Sequence, residues 1–367
     1  MNKMIPVFGS KVGKEELDEI KTSINNQWLG IGKKVDTFEQ LMTEKINSNF
    51  LAIDNCSNGL YLALKILNLP KGSEILVPAI TWISCANAVM VAGYKPVFVD
   101  CDYNTVNVTT DLLEEVRTPK TKAAIIVHYA GLPCIVDIDL PVIADCAHAV
   151  DTYIGNTHIA YTHTLNVFSF DSIKNLAAAE LGGISSNNLE YIKQAKTLRY
   201  CGIAKSGLQA STDKDKWWEY QCYVPFIKML PNDLSASVAI AQFKKLEQLQ
   251  KRRKEVWDQY NEAFKEINWL IIPPKISKEI KHSFFTYFIK ITNGKRNALA
   301  RYLLNNNIYT TVRYHPLHLM EVFNSKRKLP VAEQINEELL NLPLHPNLSD
   351  EDVKYIITKI KQFGKGK

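Results

Sequence analysis

Residues 57–102 read SNGLYLALKILNLPKGSEILVPAITWISCANAVMVAGYKPVFVDCD. GLYLALKILNL (59–69) reads as a helix that stops before Pro70 and Gly72, residues through which a helix rarely continues. EILVP (74–78) and KPVFVD (95–100) are short and almost continuously apolar, as strands covered on both faces must be. Helix, strand, crossover and strand form the unit of an α/β fold with a mostly parallel sheet.

The pattern extends outward in both directions. EELDEIKTSINN (15–26) and VDTFEQLMTEKI (35–46) are amphipathic helices ahead of it, and KAAIIVHY (122–129), LPVIADC (140–146) and TLNVFSF (164–170) are further strands behind it. Ligands of such sheets bind beyond the carboxyl ends of the strands, where Asp100, Asp145 and Ser169 fall. A single long helix is expected from about Leu234 to Ile267. Beyond it HSFFTYFIKI (282–291) alternates like a half-buried strand, and RNALARYLLNNN (296–307) and DEDVKYIITKIKQF (350–363) are amphipathic helices. The expected division is a large domain over residues 1–245 and a smaller α+β domain over 246–367, with no internal repeat.

Composition excludes several classes. The 44 basic and 38 acidic residues leave only +6, and the run Lys251-Arg252-Arg253-Lys254 reads as a solvated helix face, so no nucleic-acid partner is expected. Seven cysteines without a CxxC pair or zinc-type spacing are expected to be reduced, mostly buried thiols, with no metal. MNKMIPVFGS lacks the apolar core of a signal peptide, and no apolar run reaches the ~18 residues of a membrane span, so a cytoplasmic protein with no membrane partner is expected.

Four features carry chemistry. NCSNG (55–59) opens a helix, either as an ordinary cap or as a phosphate site built from free N–H groups and the helix dipole. Asp145, closing a strand in ADCAH (144–148), either caps the next segment or pairs with a protonated heteroaromatic nitrogen. Trp82 is either a core residue or a ring that stacks on a flat ligand. FSFDSIKNLAAAELGGISSNN (168–188) holds one lysine, Lys174, between an apolar run and a glycine pair. A nucleophilic lysine needs such an apolar, partly dry setting to lower its pKa.

Together these stretches resemble the DegT/DnrJ/EryC1/StrS sugar aminotransferases, enzymes of fold type I that depend on pyridoxal 5'-phosphate (PLP). The resemblance runs through WLGIGKKVDTFEQ (28–40), HYAGLP (128–133), VIADCAHAVDTYIG (142–155), FSFDSIKNLAAAELGG (168–183), LRYCGI (198–203), SASVAIAQFKKL (235–246) and VRYHPLH (312–318), nearly the whole chain. It implies that Lys174 is the Schiff-base lysine and that Asp145 keeps the pyridine nitrogen protonated. It places His148 at the ring hydroxyl, Trp82 on the ring face, Cys56, Ser57 and Ser169 at the phosphate, and His318 near the sugar-nucleotide site. Cys56 stands where the family has glycine, so a side chain must be accommodated there.

Two departures follow. The family's phosphate-binding asparagine, donated by the neighbouring subunit, aligns with Lys228, which either clamps the phosphate in trans or belongs to a rearranged loop. AAAELGG (177–183) mixes two family continuations, TTGEGG and GALGDGG, which leaves the aminated carbon open. The resemblance implies an aminotransferase that moves an amino group from an amino acid, with glutamate the expected donor, to the ketone of a nucleotide-linked keto-deoxy sugar. C4 is slightly favoured over C3, and the active sites are shared in a homodimer. The alternatives are a PLP-dependent sugar dehydratase, in which a histidine replaces the lysine, and a non-catalytic PLP-binding regulatory protein.

Overall fold

The computed structural model describes residues 4–203 and 218–365. In chain order the elements are α1 (Lys14–Asn25), α2 (Lys33–Ile46), β1 (Asn49–Ile53), α3 (Cys56–Leu67), β2 (Glu74–Pro78), α4 (Ser84–Val91), β3 (Lys95–Val99), α5 (Thr110–Val116), β4 (Thr121–Val127), β5 (Val142–Asp145), β6 (Tyr153–Ile154), β7 (Thr157–His158), β8 (Leu165–Ser169), β9 (Gly182–Ser186) and α6 (Leu189–Leu198). They continue with α7 (Asp233–Lys244), α8 (Leu246–Phe264), β10 (Leu270–Ile271), β11 (Ile280–Lys281), β12 (Tyr287–Ile291), α9 (Arg296–Asn305), α10 (Pro330–Glu338), β13 (Leu339–Leu342) and α11 (Asp350–Lys365).

The main sheet has seven strands in the order β1-β9-β8-β5-β4-β2-β3. Only β9 runs against its neighbours; the pairs β8/β5, β5/β4, β4/β2 and β2/β3 are parallel. Alternation along β4 explains its unbroken apolar run. Ala123, Ile125 and Val127 pack in a core with Leu60 and Leu64 of α3, while Ala124 and Ile126 join Val35, Phe38 and Met42 of α2 on the other face. Each fully buried side chain of Leu or Phe size contributes roughly 1.5–3 kcal/mol.

A third core holds Trp257, Tyr260, Tyr287, Leu299 and Ile356, packed around the antiparallel sheet β10-β12-β13. Among the described residues no helix is long and apolar enough to cross a membrane, and the seven cysteines are unpaired, four of them buried.

Several expectations are corrected. The long helix after residue 234 is two helices, α7 and α8, with Lys245 out of helical geometry between them. The first packs against α1 and α2. At the break, the Lys245 ammonium pairs with Glu16 at 2.6 Å, a tertiary tie that helical periodicity does not register. The strand expected over 282–291 is confined to β12 and buried at every position, and Phe284 ahead of it takes a left-handed backbone (φ 49°). The basic run 251–254 is not wholly solvated. Arg253 turns inward and donates to the Leu344 carbonyl at 3.0 Å.

β1 and β9 were not expected. β9 begins with Gly182 and Gly183, residues that weaken a strand pattern. Here both are required: a Cβ at Gly183 would fall on the Phe50 ring, and one at Gly182 on the Asn55 backbone. Gly182 thus lets the start of α3 press directly against the sheet, and Gly183 makes room for the Phe50 ring.

Candidate active site

The carboxyl ends of β4, β5 and β8, the start of α3 and the segment Thr311–Tyr314 enclose a cavity of about 700 Å³. The start of α3 is set by local chemistry. Asn55 accepts a hydrogen bond from the Asn58 N–H at 2.9 Å, and the Asp54 carboxylate receives the Asn58 amide at 2.7 Å. This cap fixes the first turn, where Cys56 and Ser57 face the cavity. First-turn N–H groups of a helix lack intrahelical acceptors and favour an anion. Ser57 Oγ lies 2.6 Å from Ser84 Oγ at the start of α4.

Asp145, the last residue of β5, is buried. Its Oδ1 accepts the Ala147 N–H at 2.9 Å, and its Oδ2 receives the Cys85 thiol at 3.4 Å. Burial raises its pKa, partly opposed by the Ala147 hydrogen bond and the nearby Lys174 ammonium. Burial also lowers Lys174, helped by the charge of Arg313 and opposed by Asp145, to about 8. The Lys174 ammonium lies 4.7 Å from the centre of the Phe285 ring. The turn that carries it is closed by the Lys174 N–H to the Asp171 carbonyl (2.9 Å) and the Ile173 N–H to the Asp171 carboxylate (3.0 Å).

His148 stacks on Phe285 with centroids 4.0 Å apart, and its Nε2 lies 3.3 Å from the Tyr314 hydroxyl. Burial and the neighbouring charges of Lys174 and Arg313 push its pKa well down, so the ring is neutral. Its Nδ1 is buried without a partner. Trp82 is 55% exposed and lines the cavity 5.7 Å from the Tyr314 ring, so it is not a core residue.

The cavity therefore brings together Cys56, Ser57, Trp82, Asp145, His148, Ser169 and Lys174. Three other residues singled out earlier lie elsewhere. Asp100 caps α10, accepting from the Val331 and Ala332 N–H groups at 3.0 and 2.7 Å. His318 is buried away from the cavity with its Nε2 3.2 Å from the Glu333 carboxylate. Lys228 is exposed, bridged through its backbone to Tyr200, and does not line the cavity of its own chain. Sequence reasoning missed Ser84, Cys85, Asp171, Arg313 and Tyr314. Arg313 and Tyr314 come from an irregular segment within VRYHPLH (312–318), a stretch the resemblance picked out without giving these two residues a role.

Residues 10–361 match the model of the DegT/DnrJ/EryC1/StrS aminotransferase family. The chain is 29% identical over 371 residues to the dTDP-4-dehydro-2,3,6-trideoxy-D-glucose 4-aminotransferase of Saccharopolyspora spinosa, spanning 98% of this chain and 96% of that relative. Its fold superposes on the aminotransferase TlmJ of Streptoalloteichus hindustanus with a TM-score of 0.93 at 30% identity, covering 99% of both chains. A candidate sugar aminotransferase of Streptococcus pneumoniae in its PMP form gives 0.92 at 25% identity, covering 98% of this chain and 99% of the other.

Proposed function

The chain belongs to the DegT/DnrJ/EryC1/StrS aminotransferase family, and from that premise we propose that it moves the amino group of glutamate onto the ketone of a nucleotide-linked keto-deoxy sugar, at C4 in preference to C3. It is a PLP-dependent sugar aminotransferase. The observation that carries the reading is the meeting of Lys174 and Asp145 in one cavity bounded by the first turn of α3. That the Saccharopolyspora relative is a 4-aminotransferase supports C4.

The residues present fit the cofactor. The first turn of α3 with the Ser57 and Ser169 hydroxyls suits its phosphate, and the Trp82 indole offers a flat face to its ring. His148 lines the same cavity, and its neutral imidazole suits the ring hydroxyl. When bound, PLP supplies an electron sink for the negative charge that develops at the donor's Cα.

The chain's own residues then have distinct tasks. Asp145 holds a proton at the ring nitrogen, and the cation so formed offsets the burial that raises this carboxyl. Lys174, with a pKa of about 8, keeps a sizeable neutral fraction near neutral pH and can take the proton from Cα and return it. Its presence disfavours the dehydratase alternative.

We assign Lys228 to the phosphate of a second copy's site in a homodimer. Its exposure outside its own cavity supports this, as do the exposed apolar residues Tyr223, Val224 and Ile227 on the same segment. Incubation of the holoenzyme with glutamate and a panel of nucleotide-linked 4-keto and 3-keto sugars, followed by product mass, tests the function. Amination of a 4-keto sugar is expected; transfer to none of the panel overturns the reading.

A further inference from the structure

Two basic side chains line the cavity, Lys174 and Arg313, and only the first has a task so far. Arg313 is held from several directions. Its backbone N–H donates to Asn341 Oδ1 at 2.9 Å, and its carbonyl receives the Tyr129 hydroxyl. Its guanidinium lies 3.8 Å from the centre of the Phe8 ring, and Nη1 donates to the Tyr314 hydroxyl at 3.0 Å. Nε has no partner, and among the described residues no carboxylate pairs with this side chain. A half-buried guanidinium fixed in place without an anion is a receptor for one, and its planar fork matches a carboxylate with two parallel hydrogen bonds.

Resting on the aminotransferase reading, we infer that Arg313 receives the α-carboxylate of the amino-acid donor. Its position selects this anion over the diphosphate of the sugar nucleotide. Lys174 Nζ and Arg313 Cζ lie over one ring, 4.7 and 5.6 Å from the Phe285 centroid. A donor's carboxylate carbon is only about 2.5 Å from its amine nitrogen, the separation set by two bonds through Cα. The diphosphate is held away from the reacting ketone by the sugar ring. By their distances to the shared ring the two cations lie at most about 10 Å apart, a gap that an amino acid with its amine at Lys174 and its carboxylate at Arg313 would span. Pairing has a second consequence, because the charge of Arg313 is one of the causes that lower Lys174. A carboxylate seated on Arg313 cancels that repulsion, so donor binding makes Lys174 the stronger base.

Calorimetric titration of the holoenzyme with glutarate, a dicarboxylate without the reacting amine, tests the assignment without requiring turnover. Arg313→Gln is expected to weaken glutarate about 30-fold, the loss of one charge-assisted pair. Arg313→Lys, which keeps the charge and loses the fork, should fall between the two. Affinity for dTDP or UDP, whichever the wild type binds, should stay at the wild-type value in both variants. Unchanged glutarate affinity in a folded, cofactor-loaded Arg313→Gln protein overturns the inference, as does a loss confined to the nucleoside diphosphate or a wild type that binds no glutarate. Should Arg313→Gln fail to fold, Arg313→Lys decides by the same comparison. Arg313-dependent glutarate binding in a protein that aminates no sugar would refute the proposed function and leave this assignment standing.

Discussion

The two walls of the cavity are built by different means. One is made from regular elements: Asp145 ends β5, Ser169 ends β8, and Cys56 and Ser57 begin α3. The other is the irregular segment Thr311–Tyr314, fixed by side chains from far along the sequence, Tyr129, Asn341 and Phe8. The first wall carries Asp145, Ser57 and Ser169 for the cofactor, and the second carries the cation assigned to the substrate. A sheet sets the position of strand-end residues through its hydrogen-bonded ladder, which suits chemistry that must not vary. An irregular segment tolerates sequence change, which suits the choice of substrate.

The largest effect should come from the first wall. Asp145→Asn removes the partner of the ring nitrogen while keeping its shape. Turnover is expected to fall by roughly 100-fold or more, about 2.7 kcal/mol of transition-state stabilisation, with folding intact. Near-normal turnover in the Asn protein would remove the contrast between the walls.

The second prediction sets the walls against each other at Lys174. In the apoprotein, the acylation rate of Lys174 followed against pH should show a midpoint of about 8. Arg313 disfavours the protonated amine and Asp145 favours it, so Arg313→Gln should move the midpoint up and Asp145→Asn should move it down. Peptide mapping of the acylated protein reads both shifts, and movement of both midpoints in one direction would contradict this electrostatic account.

The smallest effect concerns a residue on neither wall. Lys228→Ala should weaken cofactor retention severalfold, with the difference from wild type shrinking as added salt screens the wild-type contact. Equilibrium dialysis at low and high ionic strength measures it. Retention equal to wild type at both would leave Lys228 as a solvated charge.

How far the sequence could be read follows the same division. The apolar runs that became β2, β4, β5 and β8 were legible because strands covered on both faces have an unbroken apolar signature, and the residues at their ends came with them. β9 was hidden because its glycine pair serves the contact with α3 and Phe50 rather than strand propensity. Arg313 was hidden because nothing periodic precedes it. His318, placed near the sugar by resemblance, is buried with its Nε2 3.2 Å from the Glu333 carboxylate and does not line the cavity.

The central claim is that Lys174 is the covalent anchor of the cofactor. Borohydride reduction of the PLP-loaded protein, followed by proteolysis and mass spectrometry, tests it most directly. The account predicts the reduced cofactor on the peptide containing Lys174 and none in Lys174→Ala; label recovered on another lysine, or persisting in Lys174→Ala, would contradict it.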